Sequence, residues 1–253
     1  MATSRAIVAE KLRNVLDLMS RNGFEINQPV DLAVDENLPF MGYTSRRWQR
    51  HLIVVSGSAV GSPMLEGLLA HELSHVYRTL TNHPSHNEKI IAEAVGSLTQ
   101  LQSLDEDYQA EVLHQAINHI QDLYADDIAV KVLMSEQDRA AVFEGLGEFF
   151  LDWIKEEPVN SGSRQKNAWA NAGILLNNCF AVSNIQRRKV STVYEKAKSV
   201  NEKFLLRITP SAANNFRYFN RFMVNLKEDV SEQGFKEELQ QYLGRFWDVV
   251  QTI

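Results

Sequence analysis

From residue 87 nearly to its end, the chain repeats apolar side chains at helical spacing, and only two short upstream runs carry the signature of strands. That imbalance confines the fold to an α+β class that is mainly α, with a small sheet toward the N-terminal side. The first run, residues 30–34 (V-D-L-A-V), alternates apolar with polar; the second, 51–56 (H-L-I-V-V-S), is β-branched and closed by Gly57. A loop through Pro39 and Gly42 is expected between them. Ser62 is placed to cap, and Pro63 to open, a helix running to Leu80. Met1 to Leu18 interleaves charges with apolar positions and reads as an amphipathic helix rather than a signal peptide, ended by Arg21-Asn22-Gly23. Later helix breaks are expected near Leu104-Asp105, at Ser135, across 158–163 and at Pro210-Ser211. The expected organisation is a core over residues 1–157 and a helical subdomain, 158–253, packed on it.

Composition narrows the function classes. Hydrophobic residues at 44% and charged residues at 23% are ordinary for a globular protein. A formal charge of −6 offers no global attraction for nucleic acid or anionic lipid. The greasiest stretch, 140–154, is interrupted by Glu144, Glu148 and Asp152, so no membrane span is expected. The single cysteine, Cys179, reads as a core residue and fits a reducing compartment, hence a cytoplasmic protein. Charge is uneven: residues 122–157 hold ten acids against three bases, and 187–207 hold seven bases against two acids. Two solvated helical faces are the plainest reading, with an intramolecular or dimer contact as the other. The basic segment has only Tyr194 and Phe204 for stacking, so no nucleic-acid partner is expected. A homo-oligomer is neither indicated nor excluded.

The chemistry is concentrated in His71-Glu72-Leu73-Ser74-His75. Histidines at i and i+4 project from one helical face, about 6 Å apart at Cβ, which suits two imidazoles converging on one Zn²⁺. Glu72 stands beside that point, placed to take the proton of a water that the metal acidifies. Leu65, Leu68, Leu69, Leu73, Val76 and Leu80 make most of this helix apolar, and a His-Glu-His stripe on a buried helix is costly unless metal or hydrogen bonds satisfy it. A catalytic zinc needs a third protein ligand and an open position. A histidine ten residues after the first, following a glycine, is excluded, because Arg78 and Thr81 occupy those places. Asp122 is the best candidate: Asp122 and Asp126 share a face at i and i+4, so one carboxylate can ligate while the other fixes a ligand histidine's tautomer. His86, in the Pro84-containing loop, is the alternative third ligand. His83, His114 and His119 read as solvated or capped, although His119 lies three residues before Asp122. Tyr124, Arg217 and Tyr218 are candidates for an additional transition-state donor.

H-E-L-S-H followed by D-L-Y-A-D-D-I-A-V resembles the gluzincin zinc metallopeptidases, especially the heat-shock-protease and prenyl-protein-endopeptidase group with its Glu-x-x-x-Asp second motif. The resemblance spans about residues 53–130. It implies a zincin-like core with an active-site helix, His71, His75 and Asp122 as zinc ligands, Glu72 as general base, and Asp126 orienting a ligand histidine. Asp122 stands where the group carries Glu, and the group's membrane helices are missing, which points to a soluble branch. His86 resembles instead the completing histidine of SprT-like and related small gluzincins. The expected function is zinc-dependent hydrolysis of peptide bonds in a peptide or protein substrate, the chain pairing with an edge strand around 53–56. The alternatives are a zinc-containing scaffold or interaction protein and a metal-dependent hydrolase of non-peptide amides or esters.

Overall fold

The computed structural model describes residues 3–48, 50–101, 104, 106–135 and 139–253. It is 69% helical with a three-stranded sheet, an α+β arrangement dominated by helix. Its contacts gather the chain into two compact units, residues 1–86 with 124–142 and residues 87–123 with 143–253. The expected limit at 157/158 falls inside the second of these. Among the described residues, no helix is long and apolar enough to cross a membrane.

The first unit opens with α1 (Ser4–Arg21), which buries Val8, Leu12, Val15, Leu18 and Met19, residues three or four apart that form one helical stripe. Met1 and Ala2 lie outside the described residues; Thr3 caps the helix by accepting from the N–H of Ala6. The chain then turns at Gly23, where φ of 84° favours glycine. Strands β1 (Val30–Asp35), β2 (Gly42–Arg47) and β3 (Arg50–Ser56) follow, in the order β1-β3-β2. β1 runs parallel and β2 antiparallel to β3, with Leu32 and Thr44 both opposite Ile53.

Two expectations are corrected here. Residues 42–47 form a strand where a loop was expected, and β3, expected at the edge, is central. G-Y-T-S-R-R has no apolar alternation, so its strand character comes from pairing with Leu52 to Val55 rather than from its own pattern. The edge on this side is β2, and it lies against α2 (Leu65–Leu80). Gly42 permits that approach, since a Cβ there would sit 2.8 Å from the carbonyl oxygen of Val54 and 3.3 Å from Leu68. Ser62 acts one step ahead of its expected place: its hydroxyl accepts from the N–H of Met64, and α2 itself begins at Leu65 without a side-chain cap.

Within the second unit, α3 (Glu88–Gly96) precedes α4 (Asp107–Leu133), an unbroken helix whose part beyond residue 123 belongs to the first unit. Of the expected break near Leu104-Asp105, Asp105 lies outside the described residues. Next come α5 (Arg139–Trp153), α6 (Arg164–Arg187), α7 (Ser191–Leu205), α8 (Pro210–Val224) and α9 (Glu232–Thr252). α6 is the spine, burying Leu175, Leu176, Cys179, Phe180 and Ile185. Its asparagines also tie down the connection from α5: Asn178 exchanges two hydrogen bonds with the backbone of Lys155, and Asn171 does the same with Val159. Cys179 is fully buried, and burial pushes its thiol well above the usual range. The uneven charges meet inside this unit, where Lys203 pairs with Glu156 at 2.7 Å and Arg207 with Glu157. These pairs are solvent-exposed and contribute little to stability.

Candidate metal centre

The apolar stripe of α2, Leu65, Leu69, Leu73 and Val76, is buried, which fixes the helix's rotation and leaves His71 and His75 half-buried on its other side. Their Nε2 atoms face each other at 3.1 Å. A tetrahedral zinc with bonds of about 2.0–2.1 Å holds its ligand atoms about 3.3–3.4 Å apart, so the imidazoles already stand near ligand spacing. On the outer side of His71, Nδ1 lies 2.8 Å from the Asp126 carboxylate, the contact by which a carboxylate fixes a ligand histidine's tautomer. Asp122 stands one turn earlier on the same unbroken helix. His71, His75 and Asp122 each offer a ligand atom within 4.8 Å of the other two. The donor set, two imidazole nitrogens and a carboxylate oxygen with a carboxylate behind one imidazole, fits zinc.

Glu72 follows His71 but is only 4% exposed. The hydroxyl of Thr44, at the middle of β2, donates to its Oε2 at 2.8 Å and to its backbone carbonyl at 3.2 Å. Edge strand and carboxylate are therefore locked together. Sequence reasoning missed Thr44 because it missed the strand; no other signal marks it.

His86 is brought to the outer face of His75, its Nε2 lying 2.8 Å from His75 Nδ1. The turn after α2 makes this happen. Asn82 adopts a left-handed φ of 52°, a conformation asparagine tolerates, and the N–H of His83 reaches back to the carbonyl of Arg78. A 3₁₀ turn over Pro84–His86 then carries the ring to α2. Burial, reinforced by the neighbouring His75, His83, Arg78 and His71, holds the His86 pKa well below that of a free imidazole. His83 joins the same group through the hydroxyl of Ser85. Arg78 is 3% exposed and donates to the carbonyl of Tyr124, fastening α2 to α4 between the two motifs. Tyr124 itself is buried, its ring beneath the Arg78 guanidinium and tilted against His83. Arg217 and His114 are exposed, and Tyr218 packs on Phe222 and Arg245.

His119 is 2% exposed and stacks on Phe180 at 4.7 Å; among the described residues, neither ring nitrogen has a hydrogen-bond partner. Burial lowers its pKa to about 4, with the Asp122 carboxylate opposing only part of the shift. Because the folded pKa lies below the unfolded value, the native state binds fewer protons, and stability is lost as pH falls from about 6.5 toward 4. The expected loss is about 3 kcal/mol, since each tenfold change in proton affinity is worth about 1.4 kcal/mol. Urea unfolding at stepped pH should show it, and His119→Phe should flatten that limb; an unchanged profile in the variant would place the acid sensitivity elsewhere.

No curated protein and no solved structure matches the chain. Residues 5–246 match the model of a family of unknown function (DUF5781), and the chain belongs to that family.

Proposed function

We propose that the protein is a zinc-dependent metallopeptidase with a zincin-like core. The observation that carries this reading is the convergence of His71, His75 and Asp122 ligand atoms within 4.8 Å, beside a buried glutamate one residue after the first histidine. Bound there, zinc supplies Lewis acidity that polarises a carbonyl and lowers the pKa of water. His71 and His75 would hold it through Nε2, with Asp122 as third ligand and Asp126 orienting His71. Thr44 occupies Oε2 of Glu72, leaving Oε1 to take the proton of the attacking water and pass it to the departing amine. A purely structural zinc has no use for such a base.

β2 is the strand suited to the substrate. Among the described residues its outer edge is unpaired in the three-stranded order, and its central residue, Thr44, touches the proposed base. An extended peptide adding to that edge is read mainly through its backbone. The reading thus takes a peptide or protein as substrate and, from the single cysteine, the cytoplasm as compartment. Its test is hydrolysis of an internally quenched peptide library by the zinc-loaded chain. Cleavage that a chelator abolishes and added zinc restores is expected. A chain that holds zinc yet cleaves no peptide would instead be a scaffold or a hydrolase of other amides.

A further inference from the structure

Between Glu36 and Glu66 the chain carries no acid but three arginines, Arg46, Arg47 and Arg50, although its formal charge is −6. The same stretch holds Phe40, Tyr43 and Trp48, the exposed aromatic side chains among the described residues. β2 and its flanks thus form a basic, aromatic segment on an acidic protein. Successive residues of a strand point to opposite faces. Gly42 lies against Leu68 and Thr44 against Glu72, so Arg46 continues the face toward α2. Tyr43 stands on the other face, its ring 6.0 Å from that of Phe40. Both carboxylate oxygens of Asp31 hold Arg50, whereas Arg46, among the described residues, has no acidic partner. Trp48, 95% exposed, follows the strand at φ of 60°, a left-handed conformation that strains a bulky residue. Such strain gathers at ligand clamps. A membrane surface meets one face of a protein, but here the arginine and the aromatic pair flank an open edge from opposite faces. An added strand, with side chains on both faces, meets both.

We propose that the β2 edge selects extended peptides with an acidic and an aromatic residue three positions apart, Arg46 receiving the acid and Tyr43 with Phe40 the aromatic ring. The proposal rests on the reading of β2 as the strand to which the substrate adds. Its spacing follows from the strand: Tyr43 and Arg46 are three residues apart, so their counterparts on a paired strand are too, one on each face. Parallel addition gives Phe-x-x-Glu and antiparallel addition Glu-x-x-Phe. The residue facing Thr44 falls between the two, which puts the bond nearest Glu72 inside the motif.

Fluorescence anisotropy of short labelled peptides tests it, recorded on the full-length chain in chelator so that no cleavage intervenes. One of the two Glu and Phe orders should bind. Gln in place of Glu should cost about 2–5-fold in affinity, and Ser in place of Phe about 2–10-fold. Arg46→Gln should erase the first difference, Arg46→Glu should favour a Lys peptide, and Tyr43→Ser should erase the second difference. Arg13→Glu, the same charge change at an exposed position of α1, should alter none of these. Equal affinity for the Glu, Gln and Lys peptides overturns the proposal. So does an effect of Arg13→Glu as large as that of Arg46→Glu, or equal binding when the acid and the ring stand two or four positions apart. Capture of the chain by vesicles of phosphatidylcholine and phosphatidylserine, lost in Trp48→Ser and with no peptide bound, overturns it in favour of a membrane surface. The two readings fail separately. A chain that binds the acidic peptides but cleaves none when zinc is added keeps the selective edge and loses the peptidase. One that cleaves peptides regardless of acid keeps the peptidase and loses the selectivity.

Discussion

Replacing Glu72 with glutamine should remove the proposed peptide hydrolysis while leaving the fold and any bound metal in place. The substitution is nearly isosteric, and the glutamine amide oxygen can still accept from Thr44, so the buried position, 4% exposed in the native chain, keeps its polar partner. What disappears is the basicity needed to receive a proton. General-base contributions are about 10²–10⁴-fold, so the loss should be evident on any peptide the native protein cleaves. Zinc content and thermal unfolding of the variant, measured in parallel, separate this outcome from misfolding. Unchanged turnover would move the proton transfer away from Glu72.

The second large effect is on the metal itself. Protein purified without added metal should carry close to one zinc per chain, and His71→Ala should lose it, because one of the two opposed Nε2 atoms is gone. Asp122→Ala should weaken binding more than any change at His86, since Asp122 offers an oxygen to the cluster whereas His86 faces the outer nitrogen of His75. Asp126→Asn, which keeps shape but weakens the acceptor for His71, should cost about 10–100-fold. Chelator competition across the variants gives the order directly; His86→Ala below Asp122→Ala would reverse the assignment.

The sequence shows α2 plainly because the spacing of its histidines coincides with the period of its apolar residues, so one pattern reports both the helix and the face it offers. β1 and β3 are legible for a similar reason, their apolar runs being long enough to declare a strand. β2 is not: Tyr43-Thr44-Ser45-Arg46 has no apolar side of its own, and becomes a strand only through its pairing with β3. The hydrogen-bond partner of Glu72 was hidden with it. His86 illustrates a different limit. Its ring reaches His75 through a left-handed residue at Asn82 and a 3₁₀ turn, neither of which periodicity can report, so the residue type suggested metal chemistry but not which side of His75 it would occupy. Asp122 and Asp126 were paired by helical spacing, but only the packing of α4, held by Arg78 on the Tyr124 carbonyl, decides that Asp126 meets His71.

A hydrolytic centre on α2 requires a metal between His71, His75 and Asp122. Diffraction from crystals of the purified protein, recorded on both sides of the zinc absorption edge, locates it without any assumption about activity. The expected result is one anomalous peak, present above the edge and absent below it, about 2.0–2.2 Å from Nε2 of His71, Nε2 of His75 and a carboxylate oxygen of Asp122. A map with no peak there in zinc-loaded crystals, or a peak bound through His86 in place of Asp122, contradicts it.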